Sequence, residues 1–238
     1  MPIETIAFPE ALPAVRVTEI APGERRMRWF EVSLVSLLAF GQYILASIFM
    51  LNGAQYSRPP DSFRLSSFLQ EAICLLVLGY VLSRRKLRFR DIGLRWSNRD
   101  FNQGLVVLFL SYLAYYAGYI LLQAIAHTVS PNSTAKQMFH WGHFGYSALP
   151  LLLLNPFFEE LIVRAYLMTE IRELTGSATL AVVVSVTVQT SYHLYYGWKG
   201  ALSMGCMFLV FSLYYARARR ITPVILTHAV LDLAALFQ

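Results

Sequence analysis

Long apolar segments alternate with short polar segments along most of this chain of 238 residues. A membrane-spanning helix needs about 20 mostly apolar residues, and seven segments reach or approach that length. These predicted spans cover residues 29–51, 65–83, 101–126, 144–168, 177–195, 200–216 and 223–237. The pattern predicts an all-α fold, a polytopic transmembrane helical bundle of about seven spans.

The composition supports this interpretation and limits the number of domains. The chain is 56% hydrophobic and only 14% charged, whereas a soluble domain carries about 25% charged residues. No polar stretch is long enough for a second globular core, so we expect one membrane domain over residues 29–238. Residues 1–28 are polar and contain four prolines. They are predicted to form a cytoplasmic tail.

The positive charges between the spans are distributed unevenly. Fifteen of the 20 basic residues fall in the N-terminal tail and in the loops after the second, fourth and sixth predicted spans, including the basic loop 84–99. The other side carries Arg58, Arg64, Lys136 and Lys199. The positive-inside rule then places the N-terminus in the cytoplasm of a multi-pass protein, expected in a prokaryotic cell membrane. Because the basic residues flank spans, the net charge of +6 indicates a lipid bilayer and no nucleic acid as partner.

Three charged residues occur inside the fourth predicted span: Glu159, Glu160 and Arg164. Each charge near the middle of a bilayer costs about 2.5–3.5 kcal/mol on insertion scales, so they must face protein or trapped water. Residues four apart share a helix face, which predicts that Glu160 pairs with Arg164. Glu159 then points elsewhere as a free carboxylate, with Asn155 one turn before it. Pro156 removes a helical hydrogen bond nearby, which suits a hydrated cavity.

The later spans add further titratable groups. Counted from the turn near Arg172, Glu159 lies about 20 Å and His193 roughly 25 Å along its helix, so we expect them at comparable depth and able to share a water. His228 and Asp232 are four apart on the last span. His228 lies only about 9 Å into that helix, so the fourth helix is expected to continue into the cytosol. Glu71 in the second span is a buried acid, interpreted as support for the site or for helix packing.

These residues form three ordered motifs, each in a predicted span. The motifs are Glu159-Glu160-x-x-x-Arg164, then His193, then His228-x-x-x-Asp232. Their order resembles the CAAX-protease and bacteriocin-processing family of intramembrane peptidases, also called the Abi family, over residues 144–238. The family pattern is Glu-Glu-x-x-x-Arg, Phe-x-x-x-His and His-x-x-x-Asn or His-x-x-x-Asp.

Two positions depart from the family pattern. Gln189 stands where phenylalanine is usual, and Ala165 stands where glycine often follows the arginine. Neither departure removes a titratable group.

The resemblance implies a conical intramembrane cavity that is open to the cytosol and to lipid. It implies that Glu159 and His193 activate a water that attacks a peptide carbonyl. It further implies that His228 and Asp232 stabilise the oxyanion, in the role that relatives give to a histidine and an asparagine. Glu160 and Arg164 would support the site.

Two catalytic types are compatible with these side chains. A glutamate peptidase that needs no cofactor is the preferred hypothesis, because the His-Glu-x-x-His zinc motif does not occur in the sequence. A divalent metal such as zinc is the alternative, with ligands from Glu159, His193, His228 and Asp232.

Two other functions compete with an intramembrane endopeptidase. One is a non-catalytic membrane scaffold or immunity protein that uses the polar cluster for helix packing. The other is a proton-coupled carrier, disfavoured because the sequence shows no internal repeat. If the protein is a peptidase, its partner is a peptide or protein substrate at the membrane. Prenylated C-terminal peptides, pheromone or bacteriocin precursors and other membrane substrates all fit.

Overall fold

The computed structural model describes residues 20–53, 61–125 and 148–235, which form seven helices and no strand. The helices are α1 (Pro22–Leu51), α2 (Asp61–Arg84), α3 (Asp100–Ile125), α4 (Ala148–Glu159, Glu160–Met168 and Thr169–Thr175 in direct succession), α5 (Ala178–Tyr192), α6 (Gly197–Ala218) and α7 (Thr222–Ala235). The prediction of an all-α helical bundle is confirmed. His127, His140 and His143 lie outside the described residues.

Four helical stretches are long and apolar enough to cross a membrane: Pro22–Leu51, Arg64–Arg84, Asp100–Ile125 and Leu194–Ala218. Two shorter apolar helices cover Ala178–Tyr192 and Thr222–Ala234. The predicted spans in α1, α2, α3 and α6 are therefore supported by length and composition. Membrane crossing by α4, α5 and α7 stays a prediction.

Large apolar side chains project outward from α1, α2 and α3. The exposed ones include Phe30, Leu37, Phe49, Leu76, Phe109 and Ile120. Soluble monomers rarely expose apolar surface on this scale, whereas lipid accommodates it at no cost. These three helices therefore present the surface that we expect to contact the hydrocarbon of a bilayer.

The central element of the bundle is α4, which contacts α2, α7, α5 and α1. Its middle segment, Glu160–Met168, is a π-helix in which all nine residues are buried. Pro156 lies one turn earlier and cannot donate a backbone hydrogen bond. Such wider turns occur frequently at functional sites, and this one begins at the second of the two adjacent glutamates.

An ion-pair cluster joins α1, the end of α2 and the end of α4. Arg28 Nε lies 2.9 Å from Glu170 Oε2, and Arg85 Nη1 lies 2.6 Å from Glu170 Oε1. Arg85 also contacts Glu31. Burial lowers the pKa of Arg85, but its hydrogen bonds and charge interactions with these two carboxylates outweigh burial and raise the pKa overall. The cluster confirms that α4 continues well past Arg164.

Helix α1 begins at Pro22, inside the segment predicted to be a polar tail. Proline is favourable in the first turn, and an acidic residue, Glu24, follows it. Arg25 and Arg28 bind α4, so tertiary contacts extend the helix beyond its apolar part. The proposed division at residue 28 stays a prediction, since residues 1–19 lie outside the described part.

The segment after α2 fixes the start of α7. Gly93 has φ of +102°, and a Cβ at this position would lie 2.7 Å from the Arg219 carbonyl oxygen, so only glycine fits. The Gly93 carbonyl accepts a hydrogen bond from Ile221 N at 3.0 Å. Arg220 Nη2 lies 2.7 Å from Asp100 Oδ1. These contacts orient the helix that carries His228 and Asp232.

Candidate active site

Glu160 is the acceptor at the centre of the polar cluster. Its Oε2 accepts a hydrogen bond from Arg164 Nη1 at 2.6 Å, and its Oε1 lies 2.7 Å from His228 Nδ1. Glu160 and Arg164 have no exposed surface, and the Phe211 ring lies under the guanidinium at 5.0 Å. The predicted pair is confirmed, and it holds α7 against α4 as well.

The His228 ring lies between two carboxylates. Its Nδ1 faces Glu160, and its Nε2 lies 3.5 Å from Asp232 Oδ1. A ring that carries a proton on both nitrogens can donate to both acceptors. Asp232 Oδ2 accepts a hydrogen bond from Asn155 Nδ2 at 3.2 Å. The predicted α7 pair is therefore bound to α4 at two points, and Asp232, at 23% side-chain exposure, keeps access to the surroundings.

Glu159 makes its hydrogen bonds with α5, and not with Arg164 or His228. Its Oε2 accepts two hydrogen bonds, from Gln189 Nε2 at 2.9 Å and from the Tyr192 hydroxyl at 2.6 Å. Within the described ranges, no cation forms an ion pair with this carboxylate, and its Oε1 accepts no hydrogen bond. Glu159 is thus distinct from the buried pair, as predicted, but it is not without partners.

His193 caps the C-terminal end of α5. Its Nδ1 lies 2.8 Å from the Gln189 carbonyl oxygen. A carbonyl only accepts hydrogen bonds, so Nδ1 carries a proton, and in the neutral ring Nε2 then carries the lone pair. The ring packs 4.9 Å from Phe208 and interacts electrostatically with Glu159. Gln189 links the two predicted water-activating groups, because its side chain bonds Glu159 and its carbonyl oxygen faces His193.

Gln189 and Tyr192 are site residues that the sequence reasoning did not identify. Gln189 is fully buried and connects two of the predicted groups, because its Oε1 accepts from Arg164 while its Nε2 donates to Glu159. Tyr192 donates to the same carboxylate, and its ring stacks on Phe40 at 4.9 Å. The available signal was the departure from phenylalanine at position 189.

A family model described as type II CAAX prenyl endopeptidase, Rce1-like, matches residues 141–234. The predicted family resemblance is confirmed. No curated protein and no solved structure matches the chain. The Rce1-like region covers all six predicted site residues and all of the described helices from α4 to α7, except the final residue of α7.

Glu71 adds a further carboxyl from outside the Rce1-like region. It is buried on α2, which packs against α4, and its Oε2 accepts no hydrogen bond from the described residues. It interacts electrostatically with Glu159, Asp232 and His228. Its interpretation as a supporting group stays a prediction.

Several side chains of the candidate site are of types that bind metals. The described residues contain no group of three or more His, Cys, Asp or Glu side chains that could hold a metal ion. Both nitrogens of His228 face carboxylates, and His193 Nδ1 faces a carbonyl. Because a metal-binding histidine also directs its second ring nitrogen at a carbonyl or a carboxylate, both catalytic types stay predictions.

Proposed function

We propose that the protein is an intramembrane endopeptidase in which Glu159 and His193 activate a water for attack on a peptide bond. The Rce1-like match supports a peptidase. The observation that carries the mechanism is that Glu159 has no cationic partner among the described residues and keeps Oε1 without a hydrogen bond. A carboxylate of this kind can accept a proton from water.

The first step uses the two groups with unoccupied acceptor atoms. Glu159 Oε1 and His193 Nε2 bind a water, and Glu159 takes a proton as the oxygen attacks the carbonyl carbon. The C–N bond then breaks as the same proton passes to the leaving nitrogen. A carboxyl group shielded from bulk water suits both transfers, because it can serve as base and then as acid.

The other side of the site stabilises the negative charge that develops on the carbonyl oxygen. In the proposal the carbonyl oxygen approaches beside Asp232 and accepts from His228 Nε2–H, which lies 3.5 Å from Asp232 Oδ1, while Glu160 holds the ring through Nδ1. An ionised Asp232 cannot donate a hydrogen bond, so in this proposal it orients His228 while Asn155 fixes Asp232. Arg164 balances the charge of Glu160 and keeps this arrangement in place.

The proposed substrate class follows the description of the matched family, a prenyl endopeptidase. We propose a prenylated C-terminal peptide as the substrate, with pheromone or bacteriocin precursors as the alternative substrates. The proposed location is a prokaryotic cell membrane with the N-terminus in the cytoplasm. The proposed mechanism uses side chains alone, without a metal.

Cleavage of an internally quenched farnesylated CAAX peptide by protein in liposomes tests the proposal. Glu159→Gln keeps the shape of the side chain but removes the base, and we expect turnover to fall about 10²–10⁴-fold. Glu24→Gln, at an exposed position of α1, is the matched control and should cleave normally. Normal turnover by the Glu159 variant would overturn the assignment. If cells that carry it also behave as wild type, a scaffold would be favoured.

A further inference from the structure

We propose that Gln189 is a positioning residue that sets the geometry of both water-activating groups. This inference rests on the proposed roles of Glu159 and His193. The side-chain amide of Gln189 holds one of them, and its backbone carbonyl holds the other. Gln189 touches no reacting atom itself and acts through these two contacts.

The side-chain contact fixes the carboxylate of Glu159. Gln189 Nε2 donates to Glu159 Oε2 at 2.9 Å, and Gln189 Oε1 accepts from Arg164 Nη2. The two ends of an amide differ, since one only donates and the other only accepts. Because Arg164 requires the acceptor and Glu159 requires the donor, only one orientation of the amide satisfies both neighbours.

The remote end of this connection is anchored firmly. Arg164 is fully buried and is held by Glu160 at 2.6 Å, and Glu160 in turn binds His228 at 2.7 Å. The chain of contacts therefore runs from the proposed oxyanion side to the proposed base. A rigid buried ion pair thus determines where the Gln189 amide points, and the amide determines where Glu159 points.

The backbone contact fixes His193. The Gln189 carbonyl accepts the proton of His193 Nδ1 at 2.8 Å, which directs the lone pair of Nε2 away from α5. The usual phenylalanine of the family could provide this carbonyl, but it could not provide the amide. In this chain, Gln189 therefore positions Glu159 as well as His193.

Two substitutions separate the contacts of the side chain. Gln189→Met preserves the length of the side chain and removes both of its hydrogen bonds. We therefore expect kcat on the farnesylated CAAX peptide to fall about 10- to 100-fold, with KM changed less than about twofold. Gln189→Glu keeps an acceptor for Arg164 but places a carboxyl against Glu159. Two adjacent carboxyls repel each other when both are ionised, so the activity of this variant should fall as the pH rises and its pH profile should differ from that of the wild type.

Ser185→Ala is the matched control on the same helix. Ser185 is fully buried one turn before Gln189, and its hydroxyl bonds Ser212 on α6 at 3.2 Å but no proposed catalytic residue. Its loss should lower thermal stability without a specific loss of kcat or a change in pH profile. The proposal is overturned if Gln189→Met keeps the wild-type kcat. It is also overturned if Gln189→Glu has the pH profile of the wild type.

A second measurement does not depend on peptidase activity. Dicyclohexylcarbodiimide reacts with neutral carboxyl groups, and mass spectrometry of peptides locates the adduct. Loss of the Gln189 donor disfavours the charged form of Glu159, so Gln189→Met should label Glu159 faster, and Ser185→Ala should not. Equal rates in the wild type and Gln189→Met would overturn the proposal. Faster labelling with no cleavage of the peptide by the wild type would support the positioning contact and refute the proposed substrate.

Discussion

Replacing Glu160 with leucine should destabilise the protein by about 3–5 kcal/mol, the usual cost of removing one partner of a buried ion pair. Glu160 and Arg164 are both fully buried, and Arg164 Nε has no hydrogen-bond partner in the described structure. After the substitution, the guanidinium would retain only Gln189. His228 would also lose its acceptor at 2.7 Å.

Two related variants should be destabilised less than Glu160→Leu. Glu160→Gln keeps one acceptor oxygen for two donors and should cost less, about 1–3 kcal/mol. Removing both charges in the double variant Glu160→Leu/Arg164→Leu eliminates the stranded cation. The double variant should therefore be more stable than Glu160→Leu alone, although Gln189 and His228 each lose a partner in it.

Reversible unfolding in mixed micelles with increasing dodecyl sulfate, followed by circular dichroism, measures these free energies. Glu24→Leu, at an exposed position, controls for the added apolar surface. The reasoning is refuted if Glu160→Leu unfolds within about 1 kcal/mol of the wild type. It is equally refuted if the double variant is less stable than Glu160→Leu, because an unpaired buried cation would then not be the cause.

Three further outcomes are expected. Arg85→Met should lower the midpoint of thermal unfolding, since buried Glu170 loses one of its arginines, whereas Arg90→Met, at an exposed position, should not. Tyr192→Phe removes a donor at 2.6 Å from Glu159, and it should reduce kcat about 10-fold and the free energy of unfolding by about 1–3 kcal/mol; an equal kcat would contradict the role of the hydroxyl. Dialysis against a chelator should leave cleavage unchanged, and activity that is lost and then restored by zinc would establish a metallopeptidase.

The parts of the site that follow from local spacing could be predicted from the sequence. Residues four apart on a helix are neighbours, which placed Arg164 on Glu160 and Asp232 beside His228, and the structure has both contacts. The helices themselves follow from apolar length, because a bilayer sets the same requirement on every span. Both rules use only positions within one helix.

Contacts between helices could not be predicted in the same way. Asn155 was placed one turn from Glu159, but its amide binds Asp232 on α7. The ion-pair cluster extends α1 into the predicted tail because Arg28 meets Glu170, a residue 142 positions away. Hydropathy gives neither the rotation of a helix about its axis nor its neighbours, so these pairings required the assembled bundle.

Gln189 shows how part of that missing information could still be obtained. An amide in an apolar span is costly unless both of its ends are bonded. Glu159 was equally unexplained, since its own helix offers no cation. The Glu159 carboxylate lacks a donor on α4, and the Gln189 amide on α5 supplies one at 2.9 Å. Residues that are unsatisfied within their own helices therefore predict contacts between helices, and a departure from a family pattern marks where to look for them.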